Sequence, residues 1–269
     1  MTSTYFFTRL AREPAVLVTV VSTQGSVPRE AGAWMAVFGD ESLGTIGGGH
    51  LEFQAIAMAR EALASMARSA QVRTQRFALG PSLGQCCGGV VHLGFELAGA
   101  GDGAALRQRL AHAGTPVALF GGGHVGHAIV RLAAELPFSL HWIDSRDEVF
   151  PDQVPAHVRC EHSEPVQAAV RALAPGSRVL IMSFSHAEDL EIVAACLRRR
   201  RERADLPFIG LIGSKTKWAT FRHRLRERGF DAQELTAVTS PIGVPGITGK
   251  QPAVIALSAV AQLLQTVPQ

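Results

Sequence analysis

The chain has 269 residues, of which 47% are hydrophobic and 18% charged, and a formal net charge of +3. Such a composition supports buried cores in about two domains and excludes global disorder, while the small positive balance points to neither nucleic acid nor an acidic membrane. The longest apolar run, 252–264, is broken by Ser and Gln and too short to span a bilayer, and the N-terminus lacks a signal-peptide pattern, so a cytoplasmic protein is expected.

In chain order, 14–22 is β-branched and strand-like, 23–32 turns, and 33–39 resumes as a strand. Residues 51–68 have helical apolar spacing without Pro or Gly, and 72–80 and 90–97 read as strands. The small, Gly-rich stretch 97–105 is the expected linker. From about 115, strands at 116–121, 138–144, 157–160, 178–184 and 207–214 alternate with helical segments, which predicts parallel βαβ units in a doubly wound sheet. The expected fold class is therefore α/β: an N-terminal α+β domain over 1–100 and a Rossmann-like domain over 114–269.

The tetrapeptide GGGH occurs twice, at 47–50 and 121–124. The second copy continues as Gly121-Gly122-Gly123-His124-Val125-Gly126, a G-x-G-x-x-G between a strand and a helix. Gly121 permits the tight turn, Gly123 lets backbone amides approach a pyrophosphate, and Gly126 allows close helix–strand packing. Asp144 ends the next strand about 20 residues on, where a ribose-binding acid belongs. Arg146 reads either as an acceptor site for an extra phosphate or as a solvated cation.

The first copy has Glu52 in place of the third glycine, so it is a different device. A glycine-rich helix entry still suits an anion, and a purely structural turn at Gly47, Gly48, Gly49 and His50 is the other reading. Arg29 offers a bidentate fork for phosphate, or forms a surface ion pair. Cys86-Cys87-Gly88-Gly89 sets soft thiols beside flexible backbone, whereas Cys160 and Cys196 lie in apolar contexts typical of small buried side chains. Ser214, Lys215 and Lys217 follow a strand end where open sheets bind ligands, and either contact a phosphate or solvate a helix start. His124 and His127 flank the fingerprint. The run RRRRER at 198–203 reads as the solvated end of a helix, or as a docking surface.

Taken together, GSVPREAGAWM (25–35), GTIGGGHLE, GQCCGGVV, GGGHVG, FIGLIGSKTK (208–217) and SPIGVPGITGKQPAVIA (240–256) resemble the xanthine dehydrogenase accessory factor family (XdhC/CoxI-like) over nearly the whole chain. That resemblance implies a non-enzymatic insertion chaperone which binds molybdenum cofactor, as molybdopterin or its cytosine dinucleotide, and protects its sulfurated form. It implies delivery to a xanthine dehydrogenase-class apo-enzyme, a cysteine desulfurase as second partner, and a homodimer. Arg29, Gly47–His50, Cys87, Gly88, Gly121, Gly123, His124, Gly126, Asp144, Ser214 and Lys215 are the expected cofactor contacts, with Cys87 the expected molybdenum contact. The chain departs from the family at His50, where many relatives carry Cys. It departs again at Ser183-Phe184-Ser185-His186, where relatives often read Thr-His-Asp-His. An NAD(P)-dependent oxidoreductase is the alternative, although Tyr5, the only tyrosine, falls at an N-terminus expected to be mobile and forms no Tyr-Lys pair. A thiol-based regulatory module is a third reading.

Overall fold

A computed structural model describes residues 2–65, 73–80, 88–110, 114–134, 136–155 and 158–267. The chain divides into two compact units, 1–111 and 112–269.

In the first unit, helix α1 (Thr2–Leu10) precedes strands β1 (Ala15–Gln24), β2 (Trp34–Val37) and β3 (Ser42–Gly44); helix α2 (Gly49–Ala64), strands β4 (Arg73–Ala78) and β5 (Val90–Ala98), and helix α3 (Gly103–Leu110) follow. The strands form an antiparallel sheet in the order β3-β2-β1-β5-β4. Because side chains alternate along a strand, the central β1 serves both faces. Val16, Val18 and Val20 pack with Leu51, Ala55 and Ala59 of α2, whereas Ala15 and Leu17 pack with Phe6, Phe7 and Leu10 of α1 and Leu106 of α3. This two-sided burial explains why β1 reads as a nearly unbroken apolar run.

Two local expectations are corrected here. The N-terminus is a docked helix, its Phe6 and Leu10 buried and its Arg9 ion-paired with Glu13, Asp40 and Glu41. Tyr5 is half exposed on that helix and contacts Glu41. The glycine-rich 97–105 stretch carries the end of β5, a 3-10 turn (Ala100–Asp102) capped by Asp102, and the start of α3, so its glycines serve a cap instead of a linker. The three-residue β3 left no periodicity to read.

The second unit holds strands β6 (Thr115–Phe120), β7 (Phe138–Asp144), β8 (Val158–His162), β9 (Arg178–Ile181), β10 (Phe208–Leu211) and β11 (Val238–Thr239). They make a parallel sheet in the order β11-β10-β9-β6-β7-β8. Helices α4 (His124–Ala133) and α8 (Pro252–Leu264) cover one face with Trp142, Leu140 and Leu180. Helices α5 (His186–Arg203) and α6 (Lys215–Glu227), with a 3-10 helix at Val166–Ala172, cover the other. A four-residue helix α7 (Ala232–Leu235) precedes β11. Both faces are covered, as a doubly wound parallel sheet requires, and the strand order reverses direction between β6 and β9, where such sheets bind ligands.

The arginine run is only partly solvated. Arg199 is buried, donating to the Val170 and Leu173 carbonyls at 2.6 and 2.9 Å and forming a two-point pair with Asp205. Arg200 donates to the Leu206 carbonyl, and Arg201 pairs with Glu234. These contacts weld the end of α5 to neighbouring loops, a use of charge that a helical-wheel reading cannot anticipate. Cys196 is fully buried and its thiol is pushed up to about 12 by burial; Cys160 is half-buried, with its thiol raised for the same reason. Cys86 and Cys87 lie outside the described residues. No described helix is long and apolar enough to cross a membrane.

Candidate functional site

The loop from β6 to α4 is built around three glycines with separate steric reasons. Gly121 has φ +127°, and a Cβ there would overlap the Met182 carbonyl oxygen. A Cβ at Gly126 would overlap the Gly121 carbonyl, which is held by the buried Trp142 indole N–H at 3.0 Å. Gly123, with φ −79°, has nothing within 4 Å of its Cβ position and caps α4 without a side-chain hydrogen bond. The first-turn amides of α4 have no intrahelical acceptors, so this end of the helix presents donors and the positive end of its dipole. His124 is exposed on that turn, while His127 is half-buried with its ring edge-on to Trp142 at 4.9 Å.

Asp144 stands at the end of β7 beside this loop, but it faces inward. Its carboxylate accepts from the Gly122 N–H at 2.5 Å, from the Arg146 N–H at 2.9 Å, and from the Arg146 guanidinium at 2.9 and 3.1 Å. Val149 packs so tightly over Gly122 that a Cβ there would overlap it. The acid, 1% exposed, staples the glycine loop to the loop after β7. Arg146 is neither free nor simply solvated, since it pairs with Asp144 and lies over the Phe184 ring at 4.3 Å.

Burial opposes the Asp144 charge, but the hydrogen bonds from Arg146 and the Gly122 N–H prevail and hold its carboxyl below the usual aspartate range. A carboxyl depressed in the folded state stabilises fully above its unfolded value, about pH 4, and that stabilisation is lost as pH falls through the depressed value. Thermal unfolding from pH 6 to pH 2 is expected to show a shallower acid limb in Asp144→Asn, with lower stability at pH 6. An acid limb of unchanged slope would remove Asp144 from this role.

Two further loops reach the same carboxyl edge of the sheet. After β9, the Ser183 N–H and hydroxyl donate to Asp189 at 2.8 and 2.7 Å, Phe184 N–H donates to Glu188 at 3.1 Å, and Ser185 caps α5 by accepting from the Glu188 N–H. Glu188 also accepts from the Ser145 hydroxyl at 2.7 Å, tying this loop to the one after β7. After β10, Ser214 caps α6 and Lys215 is exposed on its first turn. Lys217 turns inward, donating to Asp189 at 2.5 Å and to the Ile212 carbonyl at 2.9 Å, so it is a structural cation and not a solvated one. His186 is exposed, with its ring edge toward Phe221 at 6.4 Å. A groove of about 390 Å3 between the Val166–Ala172 helix and α5 is lined by Arg171, Arg198 and Arg203. Residue 198 lies about 20 Å along α5 from its N-cap, so that groove is separate from these loops.

In the first unit, Gly47, Gly48 and Gly49 all have positive φ, and a Cβ at Gly47 would sit 2.5 Å from the Pro28 ring and 3.6 Å from the Arg29 side chain. A Cβ at Gly89 would overlap the Ser26 carbonyl oxygen. The 25–30, 47–50 and 88–89 segments thus lie against one another. The Glu52 carboxylate fills the centre of the glycine turn, accepting from Thr45 hydroxyl at 2.5 Å, Ile46 N–H at 3.0 Å and Gly48 N–H at 3.1 Å. Arg29 pairs with the neighbouring Glu30 at 3.0 Å. His50 is exposed, bonded to Gln54 at 3.2 Å and stacked on the exposed Phe53. Gly88 is exposed, and the expected metal contact Cys87 is outside the described residues. Among the described residues, no cluster of three or more His, Cys, Asp or Glu side chains is placed to hold a metal ion.

Sequence reasoning missed Asp189, Val149, Phe184 and the anion-filling role of Glu52. Glu52 left a signal, an acid where the fingerprint has glycine, and Phe184 left a weaker one, as a departure from the family pattern.

Comparison with known proteins supplies the family. The XdhC Rossmann domain matches residues 117–263, and the XdhC and CoxI family matches residues 9–77. YqeB of Escherichia coli K12, described as uncharacterized, is 31% identical over 258 residues, covering 94% of this chain and 43% of YqeB. The chain therefore spans less than half the length of that relative. A Bacillus halodurans crystal structure, described as a xanthine dehydrogenase, has the same fold, with a TM-score of 0.73 and 20% identity over 99% of this chain and 96% of that one. With the Rossmann-domain match alone taking in more than half of its length, the chain belongs to the XdhC family.

Proposed function

We propose that this protein is a maturation factor for a xanthine dehydrogenase-class molybdoenzyme, which binds molybdenum cofactor and passes it to the apo-enzyme. The observation that carries this reading is the state of the fingerprint loop. No side chain caps the amides at the start of α4, which leaves them to a phosphate, while the acid that would read a dinucleotide ribose is engaged by Gly122 and Arg146. A phosphate-bearing cofactor held without ribose recognition suits that loop; NAD(P)-dependent turnover does not.

The donor set fits the phosphate or pyrophosphate of either cofactor form. Gly123, His124 and Gly126 supply the backbone of the phosphate cradle, Gly121 sets its turn, and Lys215 and Ser214 stand at the neighbouring strand end. Taken by itself, the first unit offers Arg29, Gly47–His50, Gly88 and Cys87 as a second proposed set of contacts, a thiolate at Cys87 being suited to a soft metal or to sulfur. The cofactor's metal chemistry serves the recipient enzyme; this chain's residues bind, orient and shield. Release follows when the apo-enzyme offers a tighter site.

The test is to load the purified chain anaerobically with molybdenum cofactor, wash it, oxidise it and identify the released pterin by fluorescence. Stoichiometric pterin in the wild type, reduced in Cys87→Ala, is the expected result. No retained pterin, together with tight NAD(P) binding in a parallel titration, would overturn the proposal in favour of an oxidoreductase.

A further inference from the structure

The loop after β9 carries an exposed phenylalanine whose setting is that of a recognition surface. Phe184 is 66% exposed, yet its backbone is fixed on both sides: Ser183 is bound to Asp189, Phe184 N–H to Glu188, and Ser185 caps α5. The Arg146 guanidinium lies over the ring at 4.3 Å and is itself locked by two bonds to Asp144. Asp144 in turn holds the Gly122 N–H of the fingerprint loop. One continuous series of contacts therefore joins the glycine loop to a rigid cation–aromatic pair at the carboxyl edge of the sheet.

With its backbone fixed and the Arg146 guanidinium over one face, the exposed ring can offer its other face to a ligand at little further entropic cost. A planar heterocycle is the ligand chemistry that such a surface favours, since stacking reads a π-face without needing hydrogen-bond donors. The neighbouring α4 amides favour a phosphate on the same molecule. We infer that Phe184, backed by Arg146, is the stacking platform for the planar ring of a phosphate-bearing heterocyclic ligand, of the pterin or nucleobase class. This inference rests on the proposed function for the phosphate at α4, and it adds a residue that sets specificity for the ring.

The test uses the full chain and guanosine monophosphate, whose fused bicyclic ring matches a pterin in size, with inorganic phosphate and guanosine as partial probes. Calorimetric titration is expected to show guanosine monophosphate binding at least tenfold tighter than phosphate to the wild type. Phe184→Ala should abolish that advantage while leaving phosphate affinity and the melting temperature unchanged, and Phe184→Tyr should restore it; base stacking of this kind is worth about tenfold or more. An advantage that survives Phe184→Ala overturns the inference, as does a wild type that binds the nucleotide no better than phosphate. The molybdenum cofactor experiment separates the two proposals. Loss of pterin retention with a Phe184-dependent nucleotide advantage defeats the cargo and keeps the platform, whereas retention indifferent to Phe184→Ala does the reverse.

Discussion

Asp189→Ala is expected to lower the melting temperature by about 10 °C. The change leaves the Lys217 ammonium buried against the Ile212 carbonyl without its counter-charge, and strips the Ser183 N–H and hydroxyl of their acceptor. Breaking one side of a buried ion pair costs about 3–5 kcal/mol, and a unit of this size loses roughly 2–4 °C per kcal/mol. The double variant Asp189→Leu/Lys217→Met removes both charges and should recover most of the loss, because the desolvation of each ion disappears with the pair. Thermal unfolding followed by circular dichroism reads both. Equal losses in the single and double variants would mean that the pair's charges are not what holds the β9 and β10 loops together.

The second large effect separates two glycines of one loop. Gly121→Ala combines a positive φ with overlap on the Met182 carbonyl oxygen, and strain of these kinds adds to roughly 2–6 kcal/mol. Gly123→Ala meets no atom within 4 Å at φ −79° and should cost about 1 kcal/mol or less as a helix N-cap. Its methyl group stands at the open start of α4, so phosphate binding should weaken although the fold is kept. The measurement is melting temperature and phosphate titration on both variants. A Gly121→Ala protein as stable as the wild type would contradict the steric reading, and a Gly123→Ala protein with full phosphate affinity would move the anion elsewhere.

The second unit was legible in the sequence because its strands and helices are long enough to show their periods, and because the fingerprint demands glycine for reasons that act within the loop itself. What was hidden depends on contacts between distant segments. Asp144 occupies the expected position at the end of β7, but its direction is decided by Arg146 and Gly122, and no spacing rule encodes the turn of a carboxylate. Arg199 looked like one of a solvated run and proved to be a buried strut, because its neighbours in space are carbonyls from 170 and 173. Phe184 was visible only as a departure from the family pattern; its rigidity comes from Asp189 and Glu188, one helical turn on. In the first unit the motifs at 25–30, 47–50 and 88–89 are far apart in the chain, and only the close approach of Gly47 to Pro28 and of Gly89 to Ser26 makes them one surface.

The carboxylate of Glu52 inside the first glycine turn has a thermodynamic consequence for whatever approaches it. An anion reaching for the Gly48 amide must displace a competitor tethered four residues away, whose effective concentration is on the order of millimolar or higher. A singly charged, weakly held ion loses that contest unless its own concentration exceeds the tethered value, so the turn is screened against weak binders without any gate or moving part. Only a multiply charged or multiply anchored group has the affinity to win it, which makes Glu52 a built-in threshold on what the turn accepts.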